Sequence, residues 1–355
     1  MDEKRINLAL QGGGAHGAFS WGVLDRLLDE DWLIIDAISG ASAGALNGAA
    51  LKGGLSRHKG KAGRRAAREN LDSLWAQVGQ RSDNRLARWL YSFAPAGQGM
   101  GRMAELLSPA AWLDSLTRVF SPYDYGPFYI NPLAAVLRDL PHPDFSNDRG
   151  PQLFVTATNV RTGRMRVFTR AAATPDAVMA SACLPDLFRA VEICDPDTGH
   201  LEAFWDGGFT GNPAMYPLYH PNLPRDIVIV NINPLLRDDV PRTPAQIADR
   251  VNEVSFNSSL MADLRAINFV KRLFAEDRLQ NRAMKNPLIH MILDDELMTD
   301  LNARSKLMPE PGLLARMKQA GQAAADTFLN DHADALNERD TVDLPALFAG
   351  SGVVG

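Results

Sequence analysis

The chain has 355 residues, 46% of them apolar and 22% charged, enough for one large α/β domain with insertions. A formal charge of −5 excludes the strongly basic balance of a general nucleic-acid binder, so no nucleic-acid partner is expected. No run approaches the roughly 18 apolar residues of a membrane span, and the mixed-charge start MDEKRINLAL lacks the apolar core of a secretory signal, pointing to a cytoplasmic address, at most peripheral to a membrane.

Cys183 and Cys194 cannot build a disulfide framework, and no Cys/His cluster has metal-ligand spacing, so no metal is expected and no cofactor is assigned. Ile6 to Leu10 alternates as a strand and runs into Gln11-Gly12-Gly13-Gly14-Ala15-His16-Gly17, after which Phe19, Val23, Leu27 and Leu28 carry helical spacing. Gly12, Gly14 and Gly17 satisfy G-x-G-x-x-G, and Asp36 lies about where a dinucleotide fold places its ribose-binding acid; a nucleotide-binding module is therefore one reading. Residues 34–48, IIDAISGASAGALNG, read as strand, sharp turn and helix. Gly40 and Gly44 flank Ser42 in the G-x-S-x-G pattern, whose small neighbours let a strained elbow expose a nucleophilic hydroxyl; a tight turn without chemistry would use the same residues. If both glycine turns open at one sheet edge, the N–H groups of Gly13, Gly14 and Ala43 form an oxyanion hole.

Residues 53–68 are Gly- and Ala-rich, with Arg57, Lys59, Lys61, Arg64, Arg65 and Arg68 and no acid until Glu69. They read as an exposed, mobile loop beside the active-site edge, either simply solvated or in contact with an anionic membrane. From about 70 to 140 a helical pattern broken by prolines and glycines reads as an insertion, with Trp89, Tyr91, Phe93 and Trp112 in small local cores. Residues 153–169 read as two strands around a Thr-Gly turn, and Pro175 opens a short helix ending before Pro185. Within it Ser181 lacks an elbow's paired glycines, so a packing or loop-fixing role is expected. Leu201 to Trp205 is a strand that delivers Asp206, and Gly207 and Gly208 let the chain bend after it, either as a turn or to present one carboxylate in a cramped site. DIVIVNINP reads as a buried parallel strand, 245–281 as a core-covering helix pair or a movable flap, 288–293 as the last strand and 311–336 as a long amphipathic helix.

A serine nucleophile needs a group to take its proton. Of seven histidines, His220, His290 and His332 follow Asp206 in the order Ser, Asp, His, and none has a distinctive setting. His16 lies in the glycine loop, where it suits support of the oxyanion site. The other choice is Asp206 itself, whose ordinary pKa of about 3.9 is low for a base, so burial must raise it or the oxyanion must be strongly stabilised.

Taken together, GGGAHG at 12–17, GASAG at 40–44, ASACLP at 180–185 and DGG at 206–208 resemble the patatin-like phospholipase family of bacterial type. The resemblance implies a three-layer α/β/α sandwich with a mostly parallel central sheet and helical insertions, and lipid ester hydrolysis by a Ser-Asp dyad without histidine. It matches Ser42 to the nucleophile, Asp206 to its activating acid, Gly12 to Gly17 to the oxyanion element, and Ser181 and Pro185 to a structural block. His16 stands where the family more usually has Arg or Lys; if it contributes, the rate is sensitive to pH near about 6 to 7 and His16→Gln removes that sensitivity. The expected organisation is a catalytic domain over 1–240, with a mostly helical region over 241–355 packed on it. The expected activity is that of a phospholipase A or lysophospholipase on lipid acyl esters. Leu184, Phe188, Trp205 and Phe209 are candidates for an acyl channel or plain core. Alternatives using the same dyad are a thioesterase, an acyltransferase or a polyester depolymerase.

Overall fold

The structure is a computed structural model and describes residues 2–82, 121–124, 129–277, 285–301 and 309–349. Its centre is an eight-stranded sheet in the order β5-β6-β3-β2-β1-β7-β8, with β4 paired to β3. The strands are β1 (Lys4–Leu10), β2 (Leu33–Ala41), β3 (Gln152–Asn159), β4 (Met165–Thr169), β5 (Val191–Cys194), β6 (Leu201–Asp206), β7 (Asp226–Val230) and β8 (Leu288–Ile292). β3, β2, β1, β7 and β8 run parallel, whereas β4 and β6 pair antiparallel to β3, and β5 antiparallel to β6.

Alternation along the parallel strands separates two cores, because successive side chains point to opposite faces. Leu8, Leu10, Ile38, Leu153, Val155, Val228 and Val230 join a cluster with Phe19 and Val23 of α1 (Gly17–Leu27), Ala45 and Ala49 of α2 (Ala43–Arg57), and Met317 of a helix spanning Pro311–His332. Ala9, Ala37, Phe154, Ile227, Ile229 and Ile289 join a second cluster with Leu260, Leu264 and Ile267 of a helix spanning Pro244–Ala275. The molecule is thus a mixed α/β sandwich whose mostly parallel sheet carries helices on both faces. Among the described residues no helix is long and apolar enough to cross a membrane.

The basic stretch is not a loop. α2 continues to Arg57 and α3 spans Gly60–Ser82, burying Ala67, Leu71, Leu74 and Trp75 at helical spacing. Two of its cations find acids supplied by residues 25–31: Arg68 bonds Asp25 and Asp29 at 2.5 and 2.7 Å, and Lys61 lies 3.1 Å from Asp31. Arg64 donates to the Leu33 carbonyl oxygen at 2.5 Å. Nor is the stretch beside the serine elbow: α2 has 15 residues, so Arg57 lies about 21 Å along the helix from its start at Ala43. Trp89, Tyr91, Phe93, Trp112 and most of the expected insertion fall outside the described residues.

After α4 (Pro132–Arg138) and α5 (Pro175–Ser181), the long segment read as a helix pair or flap is one continuous helix, α6 (Pro244–Ala275). A capping box opens it: Gln246 N–H donates to Thr243 Oγ1, and Thr243 N–H donates to Gln246 Oε1. β8 then adds to the sheet beside β7, and α7 (Asp295–Asp300), α8 (Pro311–His332) and α9 (Leu344–Ala349) complete the described chain.

Candidate active site

β1 lies between β2 and β7, and these three parallel strands end at the same edge of the sheet. The glycine loop after β1 and the Ser42 turn after β2 both lie there. Leu10 pairs with Gly40, setting the two turns side by side. The approach is so close that a Cβ on Gly12 would sit 2.5 Å from Ser42 Cβ, and one on Gly44 would sit 2.1 Å from the Leu10 carbonyl oxygen. Only glycine fits at either position.

Ser42 has φ 52° and ψ −123°, a strained backbone for a residue with a side chain, and the next residue begins α2. The elbow is held from below: Ser42 N–H donates to Ser181 Oγ at 2.9 Å, and Ser181 is fully buried at the end of α5. Ser181 therefore has the loop-fixing role expected of it. Because α2 begins at Ala43 and a 3-10 turn begins at Gly14, the first N–H groups of both turns lack partners within their own helices.

Asp206 arrives from another direction. Ala41 pairs with Thr156 on β3, and the next β3 residue, Ala157, pairs with Asp206 on β6, so register brings the acid to the elbow across one intervening strand. Its backbone N–H donates to the Cys183 carbonyl oxygen at 2.8 Å and its own carbonyl oxygen accepts from Thr158 Oγ1 at 2.8 Å. Oδ1 accepts from Gly208 N–H at 2.7 Å. Oδ2 is buried and accepts no hydrogen bond of ordinary geometry among the described residues. Asp206 is 0% exposed; burial pushes its carboxyl up to about 7, against the opposing pull of the Ser42 hydroxyl and the Gly208 N–H.

The other expected residues fall as follows. His16 is buried in the 3-10 turn of the glycine loop. His290 is buried at the opposite end of the sheet, its Nε2 2.9 Å from Asp226 Oδ1 at the start of β7. His332 packs edge-on against Phe328, and His220 is exposed in a loop. Asp36, the acid of the nucleotide reading, receives hydrogen bonds from Arg5 in the middle of β2 rather than reaching the glycine loop. Leu184, Phe188 and Trp205 are half-buried, and Phe209 is exposed with its ring centroid 5.8 Å from that of Phe256 on α6. A cavity bounded by Lys52, Asp148, Gln152 and Arg170 lies at the start of β3, away from the elbow.

Sequence reading missed a cluster of buried amides around the glycine loop: Gln11, Asn212, Asn233 and Asn257. The signal was available in part, since NIN interrupts an apolar strand end and Gln11 ends another.

A mostly parallel sheet with helices on both faces, a serine elbow at its carboxyl edge and a buried carboxylate beside it define the class of α/β fold to which the chain belongs. The family model described as Patatin-like phospholipase matches residues 8–218, more than half the chain, and the chain belongs to that family. Among solved structures it is similar to VipD from Legionella pneumophila at 15% identity and a TM-score of 0.38, covering 93% of this chain and 67% of that one. It is also similar to ExoU in the heterodimeric ExoU-SpcU complex from the type III secretion system of Pseudomonas aeruginosa, at 17% identity and a TM-score of 0.27, covering 95% and 62%. No curated protein matches the chain significantly.

Proposed function

We propose that the protein is a serine acyl hydrolase that cleaves lipid acyl esters through a Ser42–Asp206 dyad, in the manner of a phospholipase A or lysophospholipase. Asp206 takes the Ser42 proton as Oγ bonds to the ester carbonyl carbon, and the carbonyl oxygen becomes an oxyanion facing the N–H groups of Gly13, Gly14 and Ala43. Collapse breaks the ester C–O bond, Asp206 returns the proton to the leaving alcohol, and water repeats the sequence to free the acid and Ser42.

The observation that carries this reading is the fully buried Asp206 carboxyl, raised to about 7 beside the Ser42 hydroxyl. A base with that pKa matches neutral operation, which an ordinary aspartate does not. Family membership supports lipid as the substrate class. The exposed Phe209, three residues after Asp206, suits an acyl chain.

A substrate panel tests it. Release of fatty acid from phospholipid or lysophospholipid, lost in Ser42→Ala, is the expected result. Turnover confined to acyl thioesters or polyester granules would move the assignment to the thioesterase or depolymerase that shares the dyad.

A further inference from the structure

Gly12 is gripped at both of its polar groups by buried side chains. Its N–H donates to Asn212 Oδ1 at 2.6 Å, and its carbonyl oxygen accepts from Asn212 Nδ2 at 3.2 Å and from Asn233 Nδ2 at 3.0 Å. Both asparagines are 0% exposed and come from outside the glycine loop, one following Asp206 by six residues and one following β7. Gln11 ties the second to the loop: its Oε1 accepts from Ile232 N–H, Asn233 N–H and Asn233 Nδ2 at 3.0 to 3.2 Å, and its Nε2 donates to Asn257 Oδ1 at 3.1 Å. Asn257 donates in turn to the Pro234 carbonyl oxygen at 3.0 Å.

The Gly12 carbonyl and the Gly13 N–H belong to one planar peptide, which is trans, so the two bonds point in opposite directions. Two donors on the oxygen therefore fix where the hydrogen points. They also polarise the peptide, strengthening the N–H as a donor. The Gly12 N–H, already taken by Asn212, is withdrawn from the oxyanion. From this geometry, and resting on the hydrolase reading above, we infer that Asn212 and Asn233 are positioning residues that aim the Gly13 N–H at the oxyanion by holding the Gly12 carbonyl. The same Asn212 stands six residues after Asp206, so one short segment supplies the base and orients the hole.

Preorganised donors matter because they need not reorient as charge develops. Replacing Asn233 by Ala or Leu leaves one donor on the Gly12 carbonyl and lets the peptide rotate, and kcat on a soluble ester falls about ten- to a hundredfold with KM little changed, below the full loss of one oxyanion donor. The deciding readout compares a soluble ester with its thionoester, whose sulfur is a poor hydrogen-bond acceptor. Wild type prefers the oxygen ester strongly; in Asn233→Ala, Asn233→Leu and Asn212→Ala that preference shrinks, because the hole contributes less. Rates are expressed per site titrated to completion with a fluorophosphonate, so molecules that fail to fold drop out. Equal loss on both substrates, or kcat within about twofold of wild type, overturns the inference while leaving the hydrolase standing. A folded wild type that neither labels nor turns over overturns the hydrolase reading, and this inference with it.

Discussion

Asp206 is where one residue's environment sets stability and, under the proposed dyad, chemistry as well. Its folded pKa of about 7 lies above the ordinary carboxylate value, so the folded chain binds a proton that the unfolded chain has released. Stability therefore falls as pH rises from about 4 to about 7 and is flat above. Asp206→Asn removes the buried charge, and the expected result in a thermal melt near pH 8 is a Tm several degrees above wild type, a gain that vanishes near pH 4. Under the proposed dyad the same variant is expected to lose activity, since an amide accepts no proton. For kcat/KM the sign is the reverse of stability: activity rises with pH as Asp206 ionises, with an acid limb near about 7. His16→Gln separates the two sources of such a limb. A limb kept in that variant belongs to Asp206, and a limb lost belongs to the histidine. At this scale the sequence marks Ser42 and Asp206 by their glycine neighbours, whereas Gln11 and Asn233 show only as polar residues at apolar strand ends and Asn212 carries no local pattern, because their partners lie up to 222 residues away.

At the scale of elements, what local pattern encodes is what the sequence shows. The strands at 153–169, the helix from Pro175 and the buried run from Asp226 appear where their periodicity and turn residues put them. The loop reading of the basic stretch fails for a physical reason: acids outside it pair with Lys61 and Arg68, and Ala66 and Ala67 pack a helix face, neither of which a local reading of charge density contains. The stretch's place at the far end of α2 also separates it from the elbow. Exposed apolar side chains lie instead on the first turns of α6, where Ile247, Val251 and Val254 are 47%, 63% and 53% exposed on the face opposite buried Phe256 and Leu260. These turns lead directly to Phe256, which packs on Phe209 beside Asp206. Hydrolysis of phospholipid vesicles by Ile247→Asp/Val251→Asp is expected to fall about tenfold, with turnover of a soluble short-chain ester unchanged. Lys61→Glu/Arg65→Glu is expected to leave both rates alone; a selective loss of vesicle hydrolysis there would restore the basic stretch as the lipid contact.

Across the whole molecule, residues beyond the matched 8–218 are part of the same sandwich. β8 pairs with β7, and α6 covers one face and sends Asn257 to Gln11 in the glycine loop. The far end of the sheet is locked by Asp226, which accepts from His290 and from Asn337 N–H and Nδ2 at 2.7 to 2.9 Å. Burial pushes the Asp226 carboxyl up, and these hydrogen bonds outweigh it, holding its pKa below the usual range. The resulting stability is present above about pH 4 and is lost as pH falls through the lowered value. His290→Gln should lower Tm at neutral pH with kcat intact, which also tests whether this histidine has any part in catalysis. We propose that one serine and one aspartate, brought together by register across β2, β3 and β6, perform acyl transfer without histidine. It is tested most directly by fluorophosphonate labelling and chromogenic ester turnover of wild type, Ser42→Ala and Asp206→Asn. The expected result is labelling of wild type that Ser42→Ala abolishes, with turnover lost in both variants. A folded Asp206→Asn that turns over at the wild-type rate would contradict it.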